Sequence, residues 1–525
     1  SIYGFYKYYK ADDRQAYADV MANINKRFGD LSLSANIGGS FTQTYYDERG
    51  FQGGLKDMSN VFSLYNMTTT LDKDTYPIES GYKQRTNSIF ASAEIGWKSM
   101  LYMTLTGRND WDSALINTEQ SSFFYPSIGL SGVISEMVKL PKAITYLKVR
   151  GSFASVGAPI PKNLSSNKTY EWDPATSQWK LQTYRPLPKL YPERTNSWEA
   201  GLNAKFFNNS LSLEVTWYKA NTRKQTFQVP LSGTAVYATM YAQSGNIENK
   251  GMEFSLGYNK SWGDFSWNSN LTFSFNKNKI VELLDDAVDD EGNHYSLSEI
   301  DKGGIGSAKV ILRKGGSMGD MYVTNRLKRD NEGNVYIDKA SQNVKKEDIK
   351  NSDEFIHIGS VLPKSNLGFR NDFSYKGISL GFMLAARFGG IVISPTQAVM
   401  DQFGVSKVTA LARDNEGVPV NNGKVDPQTY YTEVGGISGL MSNYVYSATN
   451  VRLQELSVGY SLPAKWFNNK CNLSLSITGH NLWMIYNKAP FDPEATASTG
   501  TYYQGVDYFM QPSLRSWGFN VKIQF

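Results

Sequence analysis

The chain closes on Ser516-Trp517-Gly518-Phe519-Asn520-Val521-Lys522-Ile523-Gln524-Phe525. Side chains alternate across a strand, so Trp517, Phe519, Val521, Ile523 and Phe525 share one face and the intervening small or polar residues share the other. One face is apolar and the other is wet. In water such an edge invites aggregation, whereas a closed transmembrane barrel pairs it and removes it. The segment predicts a membrane strand of an all-β antiparallel barrel, with the outer membrane as its place.

The same alternation recurs upstream. In Leu211-Ser-Leu-Glu-Val-Thr-Trp217 every second residue is apolar, and Phe265–Asn276 and Asn472–Thr478 repeat the pattern. A helical period would set Leu211, Val215 and Tyr218 beside Glu214 and leave no clean apolar stripe. By this test fifteen strands are expected, near 17–27, 30–44, 82–97, 99–110, 121–134, 143–156, 196–208, 210–225, 246–260, 264–277, 364–377, 378–390, 447–461, 471–484 and 512–525. Ile2-Tyr-Gly-Phe-Tyr-Lys-Tyr-Tyr9 offers a sixteenth. Between Leu453 and Leu456 the apolar parity changes, which predicts either a bulge or a lower half that faces inward.

Short turns at Gly29-Asp30, Asn208-Asn209 and Lys376-Gly377 alternate with long segments at 45–81, 157–195, 279–363, 391–446 and 485–511. Outer-membrane barrels carry short periplasmic turns and long extracellular loops. The order returns Phe525 to the periplasmic side.

Composition agrees. Aromatics make up 14% of the 525 residues, yet mean hydropathy is −0.42. No apolar run reaches the roughly 18 residues of a membrane helix. A barrel tolerates this because only alternate residues meet lipid and aromatics gather at the interfaces. The net charge of +5 is spread without a basic block, so nucleic acid is not a partner. The single cysteine, Cys471, forbids an internal disulfide and reads as a small structural residue. Ser1 opens the chain without the Met, basic or apolar regions of an export signal, so a mature, trimmed or incomplete chain is expected.

Five segments stand out in order: Arg108-Asn-Asp-Trp111; Phe124-Tyr-Pro-Ser127 with Leu130-Ser131 and Ser135-Glu136; Ser197-Trp-Glu-Ala-Gly-Leu202; Asn246-Ile-Glu-Asn-Lys-Gly-Met-Glu253; and Gly459-Tyr-Ser-Leu-Pro463 ahead of Gly479-His-Asn-Leu482. Together they resemble the SusC/RagA type of TonB-dependent outer-membrane transporter. Their order matches that family from near residue 15 to the end. The resemblance implies a 22-stranded barrel around an N-terminal plug, beneath a SusD-like surface lipoprotein. It also implies TonB-ExbB-ExbD acting through an N-terminal region, and a dimer of such SusCD-type units. Residues 1–525 are then the C-terminal part of the barrel domain, with the plug, the TonB box and about six or seven strands outside this chain. The first and last strands of the chain would each leave an edge that other residues must pair.

The function that follows from the resemblance is TonB-dependent import of oligosaccharides with a SusD-like partner. Oligopeptide import is the alternative, and a non-energised porin or a surface adhesin or scaffold is the rival class. No enzyme is expected. His294, His357 and His480 lie on separate elements with no metal-ligand spacing, and no Gly-x-Ser-x-Gly turn accompanies His480.

On the expected lumen face lie Arg108, Asp110, Glu214 and Glu253. They read as contacts for plug or substrate, or as a charge network that braces the wall, and bracing is preferred. Loop aromatics Tyr170, Trp172, Trp179, Tyr184, Tyr430, Tyr431, Tyr502, Tyr503, Tyr508 and Phe509 suit sugar rings, peptide side chains or a protein lid. They equally suit loop-to-loop packing. Clustered oxygens at Asp330, Asn334 and Asp338, and at Asp285-Asp286 with Asp289-Asp290-Glu291, raise calcium as a reading, but the spacing lacks a full calcium-loop pattern. A solvated acidic loop is the default, and no other cofactor is implied.

Overall fold

The computed structural model describes residues 3–525 apart from 69–73, 117, 119, 161–163, 165–169, 174–175, 177, 182–183, 186–190, 231–238, 289–293, 342, 422, 499 and 501–502. Fifteen antiparallel strands follow one another in chain order through one sheet, and a two-residue strand, Tyr184–Arg185, pairs in parallel with Thr239–Met240 off that path. The fifteen are β1 (Phe5–Phe28), β2 (Leu31–Gly54), β3 (Tyr76–Trp97), β4 (Leu101–Asp112), β5 (Ser122–Val133), β6 (Ile144–Ala158), β7 (Glu193–Phe206) and β8 (Leu211–Pro230). The series continues with β9 (Thr239–Trp262), β10 (Phe265–Glu282), β11 (Ser365–Tyr375), β12 (Ile378–Phe388), β13 (Asn450–Ser461), β14 (Asn472–Asn487) and β15 (Ser516–Gln524). Among the described residues β1 pairs only with β2, and β15 only with β14.

The sixteenth strand does not exist as a separate element. Residues 5–9 open β1, which runs unbroken for 24 residues, and β2 extends to Gly54 rather than ending near 44. A strand needs only about 9–11 residues to cross a bilayer. Beyond that height both faces are wet, so the charges of Lys10-Ala-Asp-Asp-Arg14 no longer alternate and the strand signal fades. The change of parity in β13 is a bulge: register shifts occur between Leu453 and Glu455 against β14, and between Met383 and Leu384 against β12. The exposed extra residue, Gln454, lets Leu453 and Leu456 share a face while Arg452 and Glu455 share the other.

Exposed aromatics mark two belts on the outer face. Phe28, Trp97, Phe207, Trp262, Tyr375 and Tyr460 lie at the short-turn end, and Trp111, Trp198, Trp483, Tyr486 and Trp517 toward the other. That is the pattern of a wall with two membrane interfaces. The Lys376-Gly377 turn joins β11 to β12 with φ of 46° and 88°. Positive φ at both residues matches the twist of the strands, and a Cβ on Gly377 would stand 2.6 Å from Ser461 O.

All the long connections leave the opposite rim, and three of them fold together. A four-stranded sheet (Glu299–Ile305, Ala308–Arg313, Asp320–Val323, Ile356–Ser360) comes from the β10–β11 connection. Three helices, Pro395–Gln402, Lys407–Asp414 and Pro427–Val434, come from the β12–β13 connection. Ser394, Ser406 and Asp426 cap them. One apolar core joins these elements to the wall: Leu312, Met321 and Val361 pack with Ile393, Leu440 and Met441 and with Phe227 and Ile280 of the wall strands. The β14–β15 connection is tied in by main-chain bonds, Ile393 N to Gly505 O and Asp507 N to Ile393 O, both 2.8 Å. The long rim therefore carries a folded cap, not independent loops.

Candidate functional site

Alternation sends one set of side chains into the concave side of the wall, and there they form ion networks across neighbouring strands. Arg108 donates to Asp110 Oδ1 at 2.7 Å and to Ser88 Oγ at 2.7 Å, while the Tyr125 hydroxyl donates to Asp110 Oδ2 at 2.5 Å. Arg150 on β6 reaches Asn203 on β7 (2.5 Å) and Glu214 and Thr216 on β8 (2.9 and 2.6 Å). Arg370 holds Asp372 through two bonds of 2.9 Å and Glu455 at 3.1 Å. Each guanidinium is shared by carboxylates or polar groups two residues on or one or two strands over, which is what wall bracing requires.

Glu253 is exposed on the same face. It lines a concavity of about 740 Å³ with Arg150, Glu199, Glu214 and Tyr218. The Tyr218 ring crosses the backbone of Gly251, where a Cβ would meet Phe275 O at 2.0 Å, and its hydroxyl donates to Asn276. Asn276 and Asn278 in turn donate to Asn249 Oδ1 at 3.3 and 3.0 Å. The Asn249-Lys-Gly-Met-Glu253 stretch is thus a packing device of the concave face.

At the rim a buried charge cluster fastens the β14–β15 connection to β13. Arg452 lies 3.0 Å from Asp492 and 3.0 Å from Glu494, and Asn450 donates to Glu494. Burial pushes the Asp492 carboxyl up, but hydrogen bonds from Ser513 and Glu494 and the charge of Arg452 hold it below the ordinary aspartate value.

The aromatic residues singled out from sequence divide. Tyr430 packs against the cap core and meets Tyr431 edge-on at 5.0 Å. Burial, with Asp401 and Tyr430 nearby, pushes the Tyr431 hydroxyl up to about 12. Tyr503 donates to Lys302 O at 3.1 Å, binding one connection to another. Tyr508 and Phe509 are exposed and meet edge-on at 5.1 Å. Tyr170 and Trp179 are exposed on a hairpin whose register pairs Trp172 with Trp179. Tyr502 lies outside the described residues, as do the side chains of Trp172 and Tyr184, those of Asp286 and Asp289-Asp290-Glu291, and any calcium reading built on them.

Asp330 accepts from the main chain of Glu332 and Asn334, and Asp338 from that of Ala340 and Ser341. These bonds hold both carboxyls below the usual aspartate range despite the cost of desolvation. Each acid closes its own turn. Among the described residues no three His, Cys, Asp or Glu side chains gather where they could hold a metal ion. The histidines stay apart: His480 faces Glu455 at 4.0 Å on the concave side, and His357 faces Asp320 at 3.6 Å in the cap.

Sequence reading missed Arg150, Arg370, Arg452 and Asp401. Arg370-x-Asp372 repeats the Arg108-x-Asp110 spacing on an alternating strand, so that signal was available; Arg452 had none, because its partners Asp492 and Glu494 lie on another connection.

Comparison with known proteins decides the family. The sequence matches the family described as TonB dependent receptor-like, beta-barrel, over residues 2–310.

The chain belongs to the TonB-dependent receptor β-barrel family.

Members are outer-membrane receptors rather than enzymes. TonB-dependent receptor P3 of Formosa agariphila is 26% identical over 541 residues, covering 95% of this chain and 51% of that protein. TonB-dependent receptor SusC of Bacteroides thetaiotaomicron is 22% identical over 479 residues, covering 85% of this chain and 44% of its own length. The fold overlays a chain of the RagAB peptide transporter structure with a TM-score of 0.73 at 19% identity, covering 98% of this chain and 55% of that one. The chain thus spans about half the length of the curated relatives it matches. Its terminal strand runs from the capped rim to the short-turn rim, where Gln524 pairs with Asn472. In a receptor of this family the short-turn rim is periplasmic and the cap faces outward.

Proposed function

We propose that this chain forms much of the wall and the outer cap of an importer of the SusC/RagA type. In this reading TonB-ExbB-ExbD energises it, a SusD-like lipoprotein closes over its capped rim, and the assembly works as a dimer of such pairs. The single observation that carries the reading is the folded cap on the long-connection rim of a TonB-dependent receptor wall. A shared apolar core holds that rim in one shape, as a surface that receives a solute or a lid needs. A plug in the concave face would meet the braced arginines and acids, Arg108, Asp110, Glu214 and Glu253 among them.

The solute we propose is an oligosaccharide, received by exposed cap and hairpin aromatics such as Trp179, Tyr503 and Tyr508. An oligopeptide is the second reading, supported by the overlay on a protein described as a peptide transporter. Uptake of a labelled glycan pool and a labelled tryptic peptide pool, with and without TonB, tests both. Accumulation that stops without TonB is expected; accumulation that continues without it would make the chain part of a porin.

A further inference from the structure

A second concavity, about 420 Å³, opens on the cap among its three helices and is lined in part by Asp401, Gln402, Phe403, Arg413, Gln428 and Tyr431. Among the lining residues Asp401 is 4% exposed and sits in the last turn of helix Pro395–Gln402. The C-terminal end of a helix favours a cation close by, and a buried carboxylate needs a partner for its charge. Among the described residues its side-chain donor is neutral, Gln397 Nε2 at 2.7 Å, and the Tyr444 ring lies close enough to feel its charge. Hydrogen bonds lower the cost of a buried carboxylate but leave its charge in place.

Arg413 on the pocket wall does not neutralise it. Arg413 donates to Gly404 O at 3.0 Å and forms no ion pair with Asp401. Tyr431 and Phe403 supply aromatic walls, and Phe403 is 73% exposed at the mouth. A buried anion beside aromatic rings, inside an open concavity, is complementary to a compact cation. Arg413 lines the same pocket, and the N–H groups it does not spend on Gly404 can donate to a neutral oxygen of the same ligand.

We propose that this pocket binds the protonated primary amine of an incoming solute, with Asp401 as counter-ion, Tyr431 and Phe403 as ring walls and Arg413 contacting an oxygen beside the amine. Two sources carry that chemistry: a peptide amino terminus, with its carbonyl adjacent, and an amino sugar, with its hydroxyls adjacent. The proposal rests on the importer reading, yet it can fail while TonB-dependent uptake persists.

The test is calorimetric titration of the intact detergent-solubilised receptor at mildly acidic pH with two probe pairs. One is tetra-alanine against N-acetyl-tetra-alanine; the other is a glucosamine tetramer against its N-acetylated form. In one pair the free amine should bind at least tenfold more tightly, and Asp401→Asn should abolish that preference. A preference confined to the peptide pair assigns peptides, and one confined to the sugar pair assigns amino sugars. Equal affinity within both pairs, absence of binding by all four probes, or a preference that survives Asp401→Asn would overturn the proposal. Because the acetylated probes are compared on the wild-type protein, the amine preference itself is read without any variant.

Discussion

Arg452 and Asp492 meet at 3.0 Å with 8% and 9% of their side chains exposed, joining a wall strand to the connection that precedes the last strand. Removing one partner from such a pair strands a buried charge, at a cost of about 3–5 kcal/mol. Arg452→Ala should therefore release residues 488–515 from the wall while leaving the strand pairing intact. Hydrogen exchange should rise across that connection and stay low in β13 and β14. Unchanged protection at 488–515 would contradict the anchoring role.

The same pair sets an acid limit. Because the Asp492 carboxyl is more acidic in the folded loop than its ordinary value of 3.8, the loop gains stability above that value and loses it as pH falls through the depressed one. Protease nicking of the connection should be flat from neutral pH to about 4 and rise only below it. A rise beginning near pH 6 would point to another group.

The cap has its own core, so its stability is separable from that of the wall. Leu312 and Met441 are fully buried in it, and truncating such side chains to Ala costs about 2–5 kcal/mol each. Leu312→Ala should make the cap protease-sensitive while the heat-modifiable gel migration typical of folded barrels is kept. Loss of that migration would mean that cap and wall fold as one unit.

Arg150 bridges β6 to β7 and β8 through three side-chain bonds. Bonds to a charged group contribute about 1.5–3 kcal/mol each and do not add simply. Arg150→Ala should lower the temperature at which the barrel migrates as unfolded, with uptake per folded molecule nearly unchanged. A selective loss of uptake would instead make the concave charges, Glu214 included, contacts for solute or plug.

The wall was legible in the sequence because lipid on one face and water on the other impose a period of two, and every expected strand within the bilayer height is present. Legibility failed where that constraint lapses. Residues 5–9 and 45–54 rise above the membrane, so they looked like an extra strand and a loop rather than parts of β1 and β2. The bulge at Gln454 was visible as a change of parity, although pattern alone did not separate it from an inward-facing half. The cap was not legible, since Leu312, Ile393 and Val506 meet only after three connections have folded together. For the same reason Tyr430, a reasonable contact residue by composition, packs against the core, and Asp401 attracted no notice in a helix whose neighbours lie elsewhere in the chain.

The account stands on sidedness: it places the cap on the outside of the cell and the short turns in the periplasm. Cys471 is a natural reporter, partly exposed beside the turn that leads into β14. Intact cells should be treated with a membrane-impermeant maleimide, comparing the native protein with a variant that carries Cys471→Ser and Asn415→Cys on the cap. The account predicts labelling at position 415 in intact cells and labelling of Cys471 only after the outer membrane is opened. Labelling of Cys471 in intact cells, with position 415 protected, would contradict it.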